Sequence, residues 1–199
     1  MTPGKRLFDV FGAAAGLLAL WPLFMIVALL IKRDDGGSVF FRQERVGRGG
    51  KLFRIWKFRT MVVDAEQRGK PLTIGRDPRL TSIGYSLRKF KIDELPQLVN
   101  VLAGEMSLVG PRPEVPRYVD QYTPAQREVL LMIPGITDPA SIKFSHESEL
   151  LATAQDPEAL YVTEIMPEKI RLNLEYRDRA NIIQDFLIIL RTAQILFRG

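Results

Sequence analysis

The chain has 199 residues, enough for one domain of ordinary size beyond an N-terminal apolar segment. It carries 28 Lys and Arg against 23 Asp and Glu, a net charge of +5 that suits an anionic partner such as phosphate or a lipid headgroup. It has no cysteine and a single histidine, His146, which excludes disulfides, thiolate metal sites and multi-histidine zinc centres.

Val10 to Ile31 forms a run of 22 residues without a charged side chain, with Pro22 near its middle. At ~1.5 Å per residue such a helix matches a hydrocarbon layer of roughly 30 Å. Proline removes a backbone donor and clashes with the preceding turn, so a kink or break is expected at Pro22. Lys5 and Arg6 precede the run, and Lys32 and Arg33 follow it. Basic flanks favour the cytoplasmic side. A helix that enters, turns at Pro22 and leaves by the same face satisfies both pairs, whereas a kinked spanning anchor satisfies one. The expected organisation is a re-entrant membrane segment over residues 1–33 and a cytosolic, membrane-associated catalytic domain over residues 34–199.

Residues 34–38 read as a flexible exit from the membrane segment. Val39 to Met61 alternates aromatic and β-branched residues around Gly47-Arg48-Gly49-Gly50, the pattern of a β-hairpin. Residues 62–80 read as a long polar loop. Thr81 to Lys91 has amphipathic helical spacing, with Ile83, Leu87 and Phe90 apolar and Arg88, Lys89 and Lys91 basic. A further helix is expected from about Leu95-Pro96 to a stop at Gly104. Helices are also expected over 123–133, over about 157–176 with an interruption at Pro167, and over about 181–197. The last has an apolar face suited either to a membrane surface or to the domain core. The fold class is α+β: a re-entrant helix broken at Pro22, a small hairpin and several amphipathic interfacial helices.

Asp93-Glu94 is the most chemical feature. Two adjacent carboxylates lie between Ile92 and Leu95, at an expected helix N-terminus where anions are favoured. They could be simple caps. A phosphate bound beside them would need cations, which points to Mg²⁺ and to Arg88, and an aspartate so placed can itself attack phosphorus. Gly110-Pro111-Arg112-Pro113 fixes the backbone on both sides of Arg112, whose fork suits phosphate oxygens. Lys57 and Arg59 alternate along one strand and form a second candidate phosphate contact. Neither a P-loop nor a dinucleotide-binding glycine motif is present.

These segments together resemble the bacterial sugar transferase family, the small monotopic phosphoglycosyl transferases. The resemblance rests on Lys5-Arg6-Leu7-Phe8-Asp9, the apolar run with Pro22, and Phe41-Arg42-Gln43-Glu44-Arg45-Val46-Gly47. It continues through Lys57-Phe58-Arg59-Thr60-Met61, Asp93-Glu94-Leu95-Pro96-Gln97, Gly110-Pro111-Arg112-Pro113 and Pro134-Gly135-Ile136-Thr137. It implies an Asp-Glu dyad with Asp93 as nucleophile, Mg²⁺, a UDP-sugar donor and a polyprenol phosphate acceptor; on this reading Glu94 binds the metal or accepts a proton from the acceptor phosphate. It also implies a place on the cytoplasmic face of a bacterial inner membrane. The family often has Ser-Pro at the membrane break, where this chain has Trp21-Pro22. Many members continue Gly-Leu-Ala-Gln-Val where this chain has Asp138-Pro139-Ala140-Ser141-Ile142. Extra transmembrane helices of larger members are not seen, so a minimal catalytic unit is expected. The alternatives are a membrane-anchored basic protein that binds anionic lipid or nucleic acid without chemistry, and a lipid phosphatase. The basic residues are spread over several elements without a stacking-aromatic motif, which argues against nucleic acid.

Overall fold

The computed structural model describes residues 2–65 and 77–198, so most of the expected 62–80 loop lies outside the described residues. Helix α1 (Pro3–Asp35) is followed by an antiparallel hairpin of β1 (Phe40–Val46) and β2 (Leu52–Phe58). Next come α2 (Ser82–Lys89), a 3-10 segment (Ile92–Gln97), α3 (Leu98–Ala103) and β3 (Ser107–Val109). After α4 (Pro116–Val119) and a 3-10 turn (Gln126–Leu131), β4 (Gly135–Thr137) pairs with β3 in parallel. The remainder is helical: α5 (Pro139–Lys143), α6 (Glu147–Ala152), α7 (Pro157–Leu160), α8 (Met166–Arg179) and α9 (Ile182–Arg198). The α+β class and the small hairpin agree with expectation.

Pro22 does not divide α1 into two elements; the helix runs through it as one. A proline costs a helix one donor, but the bonds on either side persist where packing holds both halves. Here both halves are held. Ala13, Leu17 and Leu20 pack with Ile55, Leu98, Val101 and Met106. Leu23, Phe24, Val27 and Ile31 pack with Phe58 and Leu87. Phe24 meets Phe58 edge-on, with ring centroids 5.2 Å apart. Leu7, Phe11, Leu18, Trp21, Met25 and Leu29 recur at helical spacing on the opposite, exposed face.

Both ends of α1 are tied to the rest of the chain. Lys5 donates to Val109 O at 3.1 Å and to Asp185 at 2.5 Å, and Tyr176 also donates to Asp185. Arg6 donates to the carbonyls of Val101 and Leu102 at the end of α3. Buried Asp9 accepts from Leu108 N at 3.1 Å. At the other end, Asp35 accepts both terminal nitrogens of Arg59.

The open edge of β2 is closed by a side chain. Asn100, fully buried on α3, accepts from Trp56 N at 2.9 Å and donates to Arg54 O at 2.9 Å, in place of a third strand. β3 and β4 meet through glycines: a Cβ on Gly135 would lie 2.1 Å from Gly110 N, so only glycine lets the backbones approach. A second core joins Tyr118, Val129, Leu151, Tyr161, Ile165 and Ile170.

Three expected helices are modified. The 123–133 helix is a 3-10 turn over Gln126–Leu131. The interruption expected at Pro167 falls earlier, as a π-helical turn (Tyr161–Ile165), and Pro167 itself takes the first turn of α8, where a missing N–H is tolerated. The helix expected from Leu95-Pro96 begins as α-helix only at Leu98, although it stops at Gly104 (φ +84°) as expected.

Candidate active site

Asp93 and Glu94 sit inside the 3-10 segment rather than ahead of an α-helix N-terminus. Both are buried, at 5% and 8% exposure. β2 presents Lys57 from one side, and the loop after β3 presents Arg112 from the other. That loop is set by the β3–β4 pairing, by Gly135 N donating to Pro111 O at 2.9 Å, and by Arg112 N donating to Asp138 Oδ2 at 3.0 Å. Asp138 accepts also from Ser141 N and from Asn173.

Glu94 is saturated by cations. Arg112 holds it with two parallel bonds, one of 2.7 Å from Nη1 to Oε2 and one from Nη2 to Oε1. Lys57 Nζ donates to Oε1 at 3.0 Å. Among the described residues, Asp93 Oδ1 is buried and has no hydrogen-bond partner. Two adjacent carboxylates therefore have different tasks. Burial disfavours the charge on Glu94, but the Arg112 and Lys57 cations overcome it and hold its carboxyl well below its ordinary range. Burial, and then the Glu94 charge, push Asp93 up to about 6 against the pull of Lys57 and Arg88. Burial lowers Lys57 to about 8 despite Glu94.

Arg88 donates to Thr60 Oγ1 at 2.9 Å, and its charge reaches both carboxylates. Arg59 is not part of the site. The chain leaves β2 after Phe58, and Arg59 turns to Asp35 and to Ser38 O at 2.6 Å, so strand alternation stops predicting its direction. Arg45 was not singled out as a site residue, yet it supports the Arg112 loop by donating to Pro113 O (3.2 Å) and Glu114 (3.4 Å). Its alternation with Gln43 on β1 was the available signal. His146 is an exposed residue before α6.

The residues fit a divalent cation in a limited way. Among the described residues no three acidic or histidine side chains cluster as ligands. Asp93 Oδ1 is buried without a hydrogen-bond partner among the described residues, while both oxygens of Glu94 face cations. Mg²⁺ is commonly held by one or two carboxylates together with substrate phosphates and waters, so Asp93 with a diphosphate would suffice.

The raised Asp93 predicts a pH effect. Between its unfolded value near about 3.9 and its folded value of about 6, the native state binds more protons than the unfolded one. Its contribution to stability is present in full below that window and is lost as pH rises through about 6. In chelator, the melting midpoint of the native chain should fall relative to that of Asp93→Asn as pH is raised from 4 to 7. Parallel curves would show that Asp93 is not perturbed.

Asp93 and Glu94 are thus two buried, unequal carboxylates faced by Lys57 and Arg112, in a chain whose first helix is long and apolar enough to cross a membrane. The chain belongs to the bacterial sugar transferase family, whose model matches residues 2–199. It is 37% identical over 208 residues to a galactosyl transferase, CpsE, of Streptococcus agalactiae, covering 98% of this chain and 42% of that protein. It is 36% identical over 201 residues to the UDP-N-acetylgalactosamine-undecaprenyl-phosphate N-acetylgalactosaminephosphotransferase of Aeromonas hydrophila, covering 98% and 44%. It is 35% identical over 199 residues to the UDP-glucose:undecaprenyl-phosphate glucose-1-phosphate transferase of Escherichia coli, covering 98% and 40%. The chain thus spans less than half the length of these three relatives.

Proposed function

We propose that the chain is a phosphoglycosyl transferase that moves a sugar-1-phosphate from a UDP-sugar to a polyprenol phosphate, initiating glycoconjugate assembly. The observation that carries this reading is the free buried oxygen of Asp93 beside a Glu94 already committed to Arg112 and Lys57. An Asp93 carboxylate oxygen attacks the phosphorus that bears the sugar. The bond from that phosphorus to the bridging oxygen breaks, and UMP leaves with the electron pair. A phosphate oxygen of the polyprenol carrier then attacks the same phosphorus, and the bond to Asp93 breaks. Glu94 orients Lys57 and Arg112 rather than transferring a proton. The Arg112 side chain is 35% exposed, so it can meet a ligand. Of its five N–H donors, the two directed at Glu94 leave others for phosphate oxygens. Mg²⁺, held by Asp93 and the diphosphate, would neutralise phosphate charge.

The test is a panel of UDP-sugars with polyprenol phosphate and Mg²⁺, read by UMP. Donor-specific UMP release supports the reading. A protein that only binds anionic lipid would release none, and a lipid phosphatase would release phosphate without a nucleotide.

Helix α1 supports a place at the membrane. The helix is ~50 Å long, and it is long and apolar enough to cross a bilayer. Its two ends are nevertheless tied to the same domain, through Asp185 and through Arg59. That supports a monotopic protein whose exposed α1 stripe enters the lipid while the catalytic domain stays on the cytoplasmic face. Ile182, Ile183, Phe186, Leu187 and Leu190 of α9 are likewise apolar and exposed. Because the chain has no cysteine, single cysteines at Thr2 and Ser38 report the topology. In intact cells an impermeant thiol reagent should label neither. Labelling of position 2 alone would mean that α1 spans.

A further inference from the structure

Lys91 is the one non-glycine residue with a positive φ among the described residues (φ +55°, ψ +19°). It follows the end of α2, where its N–H donates to Arg88 O at 3.1 Å and its carbonyl accepts from Glu94 N at 3.2 Å. The left-handed region penalises any residue with a Cβ, and glycine is the usual solution at a helix end. This chain uses that solution elsewhere: α1 ends at Gly36 (φ +73°) and α3 at Gly104 (φ +84°). At the turn leading into Asp93-Glu94 it has a lysine instead, so local backbone preference does not account for the residue.

The side chain does not account for it structurally either. Lys91 is exposed. Among the described residues its ammonium makes no hydrogen bond or ion pair, whereas Lys57 and Arg112 are both committed to Glu94. Its charge still acts on both carboxylates of the dyad. We propose that Lys91 is a substrate-binding residue, an uncommitted cation two residues before Asp93 that receives a phosphate of the incoming substrate. This rests on the reading above that the substrates carry phosphates, and it adds the residue that captures them. A glycine would be the more relaxed residue at this turn, and it would offer the phosphate nothing.

Three variants of the full chain separate charge from backbone. Lys91→Gln keeps the penalised backbone and loses the charge. Lys91→Gly loses both, and Lys91→Arg keeps both. With the UDP-sugar accepted from a panel of UDP-glucose, UDP-galactose and their N-acetyl forms, the Gln and Gly variants should each lose about 10- to 100-fold in kcat/KM. The Arg variant should stay within about threefold of the native chain, since a single phosphate contact keeps its charge. The Gly variant should melt no lower than the native chain. Inorganic pyrophosphate should raise the melting midpoint of the native chain and raise that of the Gln and Gly variants less. Native kcat/KM in the Gly variant, or activity lost only together with a lowered melting midpoint, overturns the proposal. An unchanged pyrophosphate shift in both charge-loss variants, or none in the native chain, also overturns it, whether or not the native chain turns over. A Lys91-dependent pyrophosphate shift with no turnover in the native chain would keep the phosphate contact and remove the transferase reading.

Discussion

Asp93→Asn should abolish the covalent phosphosugar adduct and lower turnover by ~10⁴-fold or more, the scale expected when a nucleophile is removed. The native chain, given UDP-sugar and Mg²⁺ without acceptor, should release about one UMP per active site and gain the mass of a phosphosugar. The asparagine is nearly isosteric, and the Oδ1 position it fills has no hydrogen-bond partner to lose, so the fold should persist. The amide carries no charge, which relieves the repulsion with Glu94, and the variant should melt at or above the native midpoint near neutral pH. A collapse in activity with preserved or increased stability would mark a residue kept for chemistry. An adduct in Asp93→Asn, or UMP that appears only when acceptor is added, would favour direct in-line transfer.

The second large effect is expected at Arg112. Arg112→Lys should lose about 10²- to 10³-fold in kcat/KM while its melting midpoint stays within a few degrees. The guanidinium spans both oxygens of Glu94, and its remaining donors face out of the pair. A lysine keeps one charge but can grip only as a point, so the plane that would present donors to a phosphate is lost. Glu94 would keep Lys57 as a partner, which limits the structural damage. Full activity in Arg112→Lys would assign the residue to holding its loop and nothing more.

Much of this site was legible before any coordinates, because short-range patterns carry it. The hairpin lies close to where alternation put it, and Asp93, Glu94, Lys57 and Arg112 converge. The division of labour inside the dyad was not legible. It depends on which oxygens Arg112 and Lys57 reach, and on burial that two adjacent acidic residues share almost equally. Arg59 was misread for a related reason: its partner, Asp35, lies 24 residues earlier at the end of α1. Asn100 was also invisible, since nothing in an amide side chain on a helix announces that it will complete a sheet edge. Pro22 shows the limit of a local rule. Its effect on the backbone is real, yet packing along both halves of α1 decides whether the helix continues.

The bond from Lys5 to Asp185 has a consequence for synthesis. Its two partners are 180 residues apart, so this tie on α1, unlike those to Arg59, Val101 and Leu108, cannot form until α9 has been synthesised. At ordinary elongation rates that interval is on the order of ten to forty seconds. An apolar helix left in water for that time would invite aggregation. On the membrane placement proposed above, lipid would be the environment in which α1 waits for its tie to α9.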